Sequence, residues 1–466
     1  MVNKNNIKMP VLLVGILSLT STGCNIYKSY ERPERAVMVA DSLYREISVG
    51  VPIEDTVSLA DFSWKELFTD SLLQKHIETG MSSNTDLNVA RYKVEEAKAL
   101  LTSSKLAYLP SLSFNPEGGI NHSESGGTVK TYNIGVAAGW ELDFFGKLTN
   151  AKREAKAVLE QSVYYKQAVQ TQLISTIAGS YYTLLMLDKQ CEITKSTIEI
   201  WSENVRTLEA LKNAGQATEL DVAQARATKL SVESSLSSLE QQVEETENTL
   251  SALLGVAPGH IERGTFDEQQ FPDSIAIGVP LQLLQRRPDV RQKEAELAAS
   301  FYATNYARAA FYPSITLSGS AGWTNSVGAA AIGNPAEWLL SALGSLVQPL
   351  FNRGENIANL KVAKAQQEEA LLEFRQSLLD AGSDVNNSLA QWQGARKRLE
   401  LSNNQVEALE SAVRNAELLM RYGTQNYLEV LTARQSLLQA ELTAVSDRFD
   451  EIAGVINLYH ALGGGY

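Results

Sequence analysis

Few side chains in this sequence are spaced for catalysis or for metal binding. The four histidines are scattered, with no His-x-x-x-His pair and no Cys-His cluster (His76, His122, His260 and His460). Zinc sites and zinc-dependent hydrolases need such ligands at close spacing. The chain has no Gly-Lys-Ser/Thr phosphate-binding loop either, and residues 463–465 form only a glycine-rich tail. We therefore expect no catalytic residues, no metal site and no cofactor.

One residue does suggest a specific modification, and it is Cys24. Lys4 and Lys8 precede a short apolar run over residues 11–17, and Ser-Thr-Gly stands directly before the cysteine. This order is typical of a signal peptide over residues 1–23, which is too short for a spanning helix. Small residues before a cysteine resemble the bacterial lipobox, so we predict that Cys24 is lipidated. The alternative is an exported protein with an incidental cysteine.

Composition and charge narrow the class of protein further. The 466 residues carry a formal net charge of −13, and 44% of them are apolar. An acidic chain without basic runs is unsuited to nucleic-acid binding. No internal apolar run approaches the roughly 20 residues that a membrane helix needs. If the protein spans a membrane, it must do so with strands.

Cys191, left without a disulfide partner, is predicted to be a small core residue.

The chain contains two copies of one unit. Residues 107–111 (Ala-Tyr-Leu-Pro-Ser) match residues 310–314 (Ala-Phe-Tyr-Pro-Ser) at an offset of 203. Gly215 matches Gly423 at an offset of 208, and other matches keep the same order. An ordered series with so little drift indicates tandem repeats. The predicted divisions are an N-terminal extension and two repeats, over residues 24–60, 61–260 and 261–466.

Each repeat contains segments with the period-two alternation of β-strands. Between residues 131 and 144, apolar residues alternate with polar or small ones, and residues 314–324 behave in the same way. We predict strands at about 111–123, 128–144, 314–325 and 336–351, the last with less regular alternation. Strands of about ten residues with one apolar face are typical of membrane barrels, although soluble sandwich strands also alternate. The signal peptide and the repeat favour the membrane interpretation.

Four strands cannot close a barrel by themselves, because the smallest membrane barrels have about eight. An open sheet edge is not tolerated in lipid. Other copies of the chain must therefore complete the barrel. Two copies would give about eight strands with a filled interior, and three would give about twelve with room for a channel.

Two very long helices are predicted, over residues 147–213 and 353–421, because these segments lack proline. Unbroken, each could span on the order of 100 Å and would need lateral partners. Apolar residues recur there at coiled-coil spacing, and we assign them to packing alone. These residues are Leu173, Ile177, Tyr181 and Leu184 in the first segment, and Leu371, Leu378, Val385, Leu389 and Trp392 in the second.

Several segments resemble the signature sequences of TolC-like outer-membrane factors. They are residues 64–72, 284–290 (Leu-Gln-Arg-Arg-Pro-Asp-Val), 312–314 and 427–434. The lipobox favours the lipoprotein branch (NodT/OprM-type), which serves resistance-nodulation-division (RND) pumps. The resemblance implies a mainly α fold with a membrane β-barrel portion. In it, a homotrimer completes a 12-stranded barrel from four strands per protomer and continues as a long coiled-coil α-barrel in the periplasm.

The resemblance also implies a function and partners. Such a protein is the outer-membrane exit duct of a tripartite efflux system, working with a periplasmic adaptor and an inner-membrane RND-type pump. The turns around Gly215 and Gly423 would then form the periplasmic tip that meets the adaptor. Asp221 and Glu429, just after those turns, match the carboxylates that line the closed end. Thr432 departs from the family pattern, which has a further carboxylate at that position.

Other interpretations remain open from the sequence alone. Thr218-x-x-Asp221 and Asn426-x-x-Glu429 also read as capping boxes, and capping alone would place acids there. The duct could instead serve type I polypeptide secretion, which the lipobox disfavours. A structural coiled-coil lipoprotein is a third possibility, but it would not need paired membrane hairpins. The cargo is not visible in the sequence, and six methionines without a cluster give no support for copper transport.

Overall fold

The computed structural model describes residues 27–33, 59, 62–124, 127–271, 286–324, 337–422 and 427–465. Its helices are α1 (Trp64–Leu67), α2 (Ser71–Ser83), α3 (Thr85–Leu106), α4 (Lys147–Asn213), α5 (Glu219–Leu254), α6 (Pro288–Ala309), α7 (Glu355–Arg421) and α8 (Tyr427–Ala461). Its strands are β1 (Ser111–Phe114), β2 (Glu117–Ser123), β3 (Gly127–Leu142), β4 (Ser314–Thr324) and β5 (Glu337–Val347). The mainly helical, TolC-like fold class expected from the sequence is confirmed.

The chain divides into two compact units, and each draws segments from both sequence repeats. The first unit comprises residues 1–36, 94–162 and 292–374 and contains all five strands. The second comprises residues 37–93, 163–291 and 375–466 and is helical in its described part. No described helix combines the length and the hydropathy needed to cross a membrane.

The strands of the first unit form one antiparallel sheet in the order β1-β3-β4-β5, with β2 also paired to β3. Phe114 lies opposite Val136 and Glu117 lies opposite Asn133, so the register does not change between β1 and β2. The ladder is interrupted at Pro116 because proline has no N–H to donate. β1 and β2 are therefore one predicted strand with a break, and the sheet is four strands wide.

The two faces of this sheet differ in chemistry. One face carries large apolar side chains that are exposed in the single chain: Leu112, Phe114, Val136, Trp140, Leu317 and Leu346. The other carries hydroxyls that pair across strands, Thr316 with Ser345 at 2.8 Å and Ser320 with Ser341 at 2.7 Å. Leu343 lies opposite Ser318 on the hydroxyl face, so β5 alternates less regularly. An exposed apolar face of this extent indicates contact with lipid or protein.

The helical unit is held together by a core in which α1, α2, α4, α5, α7 and α8 all take part. Most of the coiled-coil residues predicted from the sequence are buried in this core, including Ile177, Leu184 and Val385. Leu371 is only half-buried and lies in the first unit. Tyr181 adds a polar link, because its hydroxyl donates to Asp70 at 2.7 Å and accepts from the Gly264 N–H at 2.9 Å. Cys191 is a buried free thiol whose pKa is raised by burial, as expected for a core residue.

Arg287, from the Arg-Arg-Pro-Asp-Val segment, is the main buried cation of the helical unit. Its guanidinium binds Asp289 through two bonds of 3.0 and 2.6 Å and Asp384 through one of 2.9 Å. It also donates to the Ala461 carbonyl at 3.3 Å. Burial alone would raise the pKa of Asp289, but the adjacent guanidinium holds it below its usual range. Because Asp384 and Ala461 lie far from Arg287 in the sequence, Arg287 fastens the start of α6 to α7 and α8.

Candidate gate at the helix turns

The first of the two predicted tip turns joins α4 to α5. α4 ends at Asn213, and Gly215 takes a left-handed backbone with φ of +74°, which favours glycine. The Gln216 N–H donates to the Leu211 carbonyl at 2.8 Å, and the Gly215 N–H donates to the Lys212 carbonyl at 3.0 Å. These bonds satisfy carbonyls that the helix end would otherwise leave unpaired. The glycine thus ends α4 sharply, and the residues of the turn on either side of it are exposed.

Asp221 lies in the first turn of α5 and forms the predicted capping box with Thr218. The Thr218 N–H and hydroxyl donate to the Asp221 carboxylate at 2.8 and 2.7 Å. In return, the Asp221 N–H donates to the Thr218 hydroxyl oxygen at 3.2 Å. The hydroxyl bond, aided by the backbone bond, lowers the pKa of Asp221 below its ordinary value. The carboxylate is therefore charged and held at the positive end of the α5 dipole.

The second turn is described only in part. Gly423 and Asn426 lie outside the described residues, and so does the capping predicted for Asn426. Glu429 lies in the first turn of α8 with an exposed side chain. Thr432, one turn later, uses its hydroxyl to donate to the Leu428 carbonyl at 2.9 Å. Each repeat thus contributes an acid to the first turn of the helix that follows its turn.

The starts of α5 and α8 pack on a common apolar cluster. Val222, next to Asp221, and Leu431, two residues after Glu429, both belong to an apolar cluster that includes the fully buried Trp201 of α4. Leu208 and Ala225 also belong to this cluster. Because both helix starts share this core, the backbones that carry the two acids are positioned together.

Two equivalent ion pairs link the helices on either side of each turn, α4 to α5 and α7 to α8. They were not predicted from the sequence. Arg226 of α5 binds Glu209 of α4 at 2.8 Å, and Arg434 of α8 binds Glu417 of α7. Both members of the second pair lie 208 positions after those of the first, the offset that relates Gly215 to Gly423. The repeat spacing was the signal that could have revealed them. The second pair is less exposed, with 21% of the Arg434 side chain accessible against 59% for Arg226.

These helix starts provide fixed negative charge. Over the described ranges, no group of three or more histidine, cysteine or acidic side chains is arranged to hold a metal ion. Cys24, the predicted lipidation site, lies outside the described residues. What the arrangement offers is a pair of carboxylates on rigid helix ends, which attract cations and repel one another if brought together.

A family model for the outer membrane efflux protein matches residues 77–256 and again residues 279–464. The chain belongs to the outer membrane efflux protein family. This efflux protein is 31% identical to the pyoverdine export outer membrane protein OpmQ of Pseudomonas putida, across 88% of its own length and 89% of OpmQ. It is 27% identical to the probable outer membrane lipoprotein SilC of Salmonella typhimurium, across 98% and 99% of the two chains.

The solved structures agree with this assignment. The outer-membrane channel OprN superposes with a TM-score of 0.85 at 28% identity, covering 95% of the efflux protein and 99% of the OprN chain. The efflux protein is therefore an outer-membrane channel that serves as the exit duct of a tripartite efflux system. It is located in the outer membrane. Its family members are channels.

Proposed function

We propose that three copies of this efflux protein form the duct. The observation that carries the proposal is the sheet of the first unit, which is four strands wide and has an exposed apolar face. Within the described residues, its outer strands pair on one side only. Lipid tolerates neither a bare edge nor a four-stranded barrel, so neighbouring copies must supply the remaining strands. Three copies give about twelve strands, enough to surround a channel lined by the hydroxyl face.

The lipid is attached to Cys24, as the small residues before this cysteine support. The chain is organised as the two tandem repeats over residues 61–260 and 261–466. Two observations support the repeats: the equivalent ion pairs in the two repeats and the two segments matched by the family model. The duct conducts passively, without catalysis, and its cargo is selected elsewhere. A periplasmic adaptor and an inner-membrane RND-type pump are its partners.

The turns at Gly215 and Gly423 meet the adaptor, and Asp221 and Glu429 line the closed end of the duct. In a trimer, each carboxylate is present three times, so two acidic rings result. Like charges at short distance repel one another, which favours a wider end once the adaptor holds it open. The capping role of Asp221 is compatible with this arrangement, because a capping carboxylate keeps its charge.

The size of the purified, detergent-solubilised protein tests the assembly. Light scattering should give the mass of three chains after correction for detergent, and negative-stain images should show particles with threefold symmetry. A monomer or dimer that stays soluble without detergent would contradict the proposal. A C24A variant is the matched control for the anchor, and it should lose incorporation of radiolabelled palmitate.

A further inference from the structure

The segment that follows Cys24 is docked on the first unit. We call residues Tyr27–Arg32 the strap. The Tyr30 N–H donates to the Tyr302 hydroxyl at 3.1 Å, and the Tyr30 ring meets Phe301 edge-on with centroids 5.9 Å apart. Arg32 binds Glu294 through two bonds of 2.7 and 2.6 Å. The strap is therefore fixed along α6 by a ring contact and a bidentate ion pair.

The strap also reaches the start of α4. The Tyr27 ring lies against Gly146, where a β-carbon would meet the ring at 3.3 Å, so a larger residue would displace the strap. Arg153 of α4 donates to the Tyr27 carbonyl at 3.5 Å, and its guanidinium lies 6.0 Å from the Tyr302 ring centre. The strap thus bridges α4 of the first repeat and α6 of the second.

This position connects the strap to the centre of the sheet. β3 ends at Leu142, shortly before α4 begins, and α6 ends at Ala309, shortly before β4 begins. β3 and β4 are adjacent strands, paired from Leu142–Ile315 to Asn133–Thr324. The strap therefore holds the helix that follows β3 and the helix that precedes β4, at the end of the sheet where both strands meet these helices.

We propose that the strap couples the lipid anchor to the sheet, so that the acylated N-terminus guides insertion of β3 and β4 into the bilayer. The inference rests on the proposed lipidation of Cys24 and on the proposed trimer. Cys24 lies three positions before Tyr27, and three residues span at most about 10 Å. An acyl chain held in the bilayer therefore keeps the central strands beside the lipid surface.

Releasing the strap lengthens this tether. With the strap undocked, residues up to at least Arg32 join the tether, which grows from three residues to about nine or more. The effective concentration of a tethered group falls roughly as the −3/2 power of tether length, which here predicts a loss of about fivefold or more. Undocking should therefore slow insertion about fivefold.

The strap contains its own matched control. The hydroxyls of Tyr27 and Tyr30 are buried and have no hydrogen-bond partner among the described residues. Replacing both tyrosines by phenylalanine keeps the packing and removes only these unpaired groups. The Y27F/Y30F chain should insert at the wild-type rate. R32E and E294R each place like charges together and should undock the strap, and the R32E/E294R double variant should restore docking.

The test compares these variants with and without the anchor. The full-length chains are added to vesicles of outer-membrane lipid extract, and the appearance of heat-resistant trimer is followed on gels. With Cys24 lipidated, R32E should slow assembly about fivefold, and the charge swap should restore the rate. In the C24A background, assembly should already be slow, and R32E should change it less than twofold.

An equal loss from R32E in both backgrounds would overturn the proposal, because the strap would then be a structural brace that acts without the lipid. Unchanged assembly of lipidated R32E would overturn it as well. If the lipidated wild-type chain forms no trimer, the proposed assembly fails separately. The rate of vesicle binding by the monomer, compared in the same two backgrounds, then decides whether the strap couples to the anchor.

Discussion

Arg434 of α8 is ion-paired with Glu417 of α7, close to the turn that joins these helices. The pair repeats, at an offset of 208, the bridge between Arg226 and Glu209 in the first hairpin. Both hairpins are therefore cross-linked by charge near their turns. The two bridges differ in environment, because Arg434 is mostly buried and Arg226 is mostly exposed.

The difference in burial predicts unequal contributions to stability. R226A should lower the free energy of unfolding by less than about 1 kcal/mol, because exposed ion pairs contribute little. R434A should cost about 1–3 kcal/mol, because it leaves the partly buried Glu417 without its cation. Urea unfolding of the detergent-solubilised protein measures both values, and hydrogen exchange at the turns locates the effect. Equal losses in the two variants would contradict the assignment.

The effect of the acidic residues on ion selectivity can be measured separately from their capping of the helix starts. E429Q and D221N should lower the preference of the reconstituted channel for cations, because each removes a ring of three charges. T218A removes the cap, at a cost of about 1 kcal/mol, but keeps the Asp221 carboxylate. Reversal potentials in planar bilayers under a salt gradient should therefore shift in E429Q and D221N and stay near the wild-type value in T218A. A shift in T218A alone would assign Asp221 to capping only.

The two faces of the sheet should respond in opposite ways to a new charge. L317R places a cation on the apolar face and should cost about 2–4 kcal/mol if that residue faces the bilayer core. S318R, at the next position of β4, places the same side chain on the hydroxyl face and should be tolerated. The fraction of each variant recovered as trimer in the outer membrane compares them. Similar recovery of both would argue against a lipid-facing apolar surface.

His460 should make the stability of the helical unit depend on pH. It faces Arg287, Asp289 and Asp384, and burial, together with the Arg287 charge, lowers its pKa below the ordinary value of 6.5. Between the lowered folded pKa and 6.5, the unfolded chain binds more protons, so stability falls as the pH decreases through this window. The melting temperature should therefore drop from pH 7 toward pH 5. H460Q should flatten that dependence, and an unchanged slope would exclude His460 as its source.

The local elements of this protein follow from its sequence. The absence of proline over residues 147–213 predicted the helix Lys147–Asn213 with the same ends. Alternation predicted the strands, because successive side chains of a strand point to opposite faces of the sheet. The sequence also predicted the capping box at Thr218, because its two partners are only three residues apart. The repeat offset further related Gly215 to Gly423.

The long-range contacts were decided by the tertiary structure. No sequence pattern joins Arg287 to Asp384, Tyr181 to Asp70, or Val222 to Leu431, because these pairs depend on how separate helices pack. The strap is a further case: Arg32 and Glu294 are 262 positions apart, and only the fold brings their charges within 2.6 Å. Periodicity and spacing depend only on residues of one helix or strand. Contacts between helices and strands depend on how the whole chain folds, so no pattern along a single element predicts them.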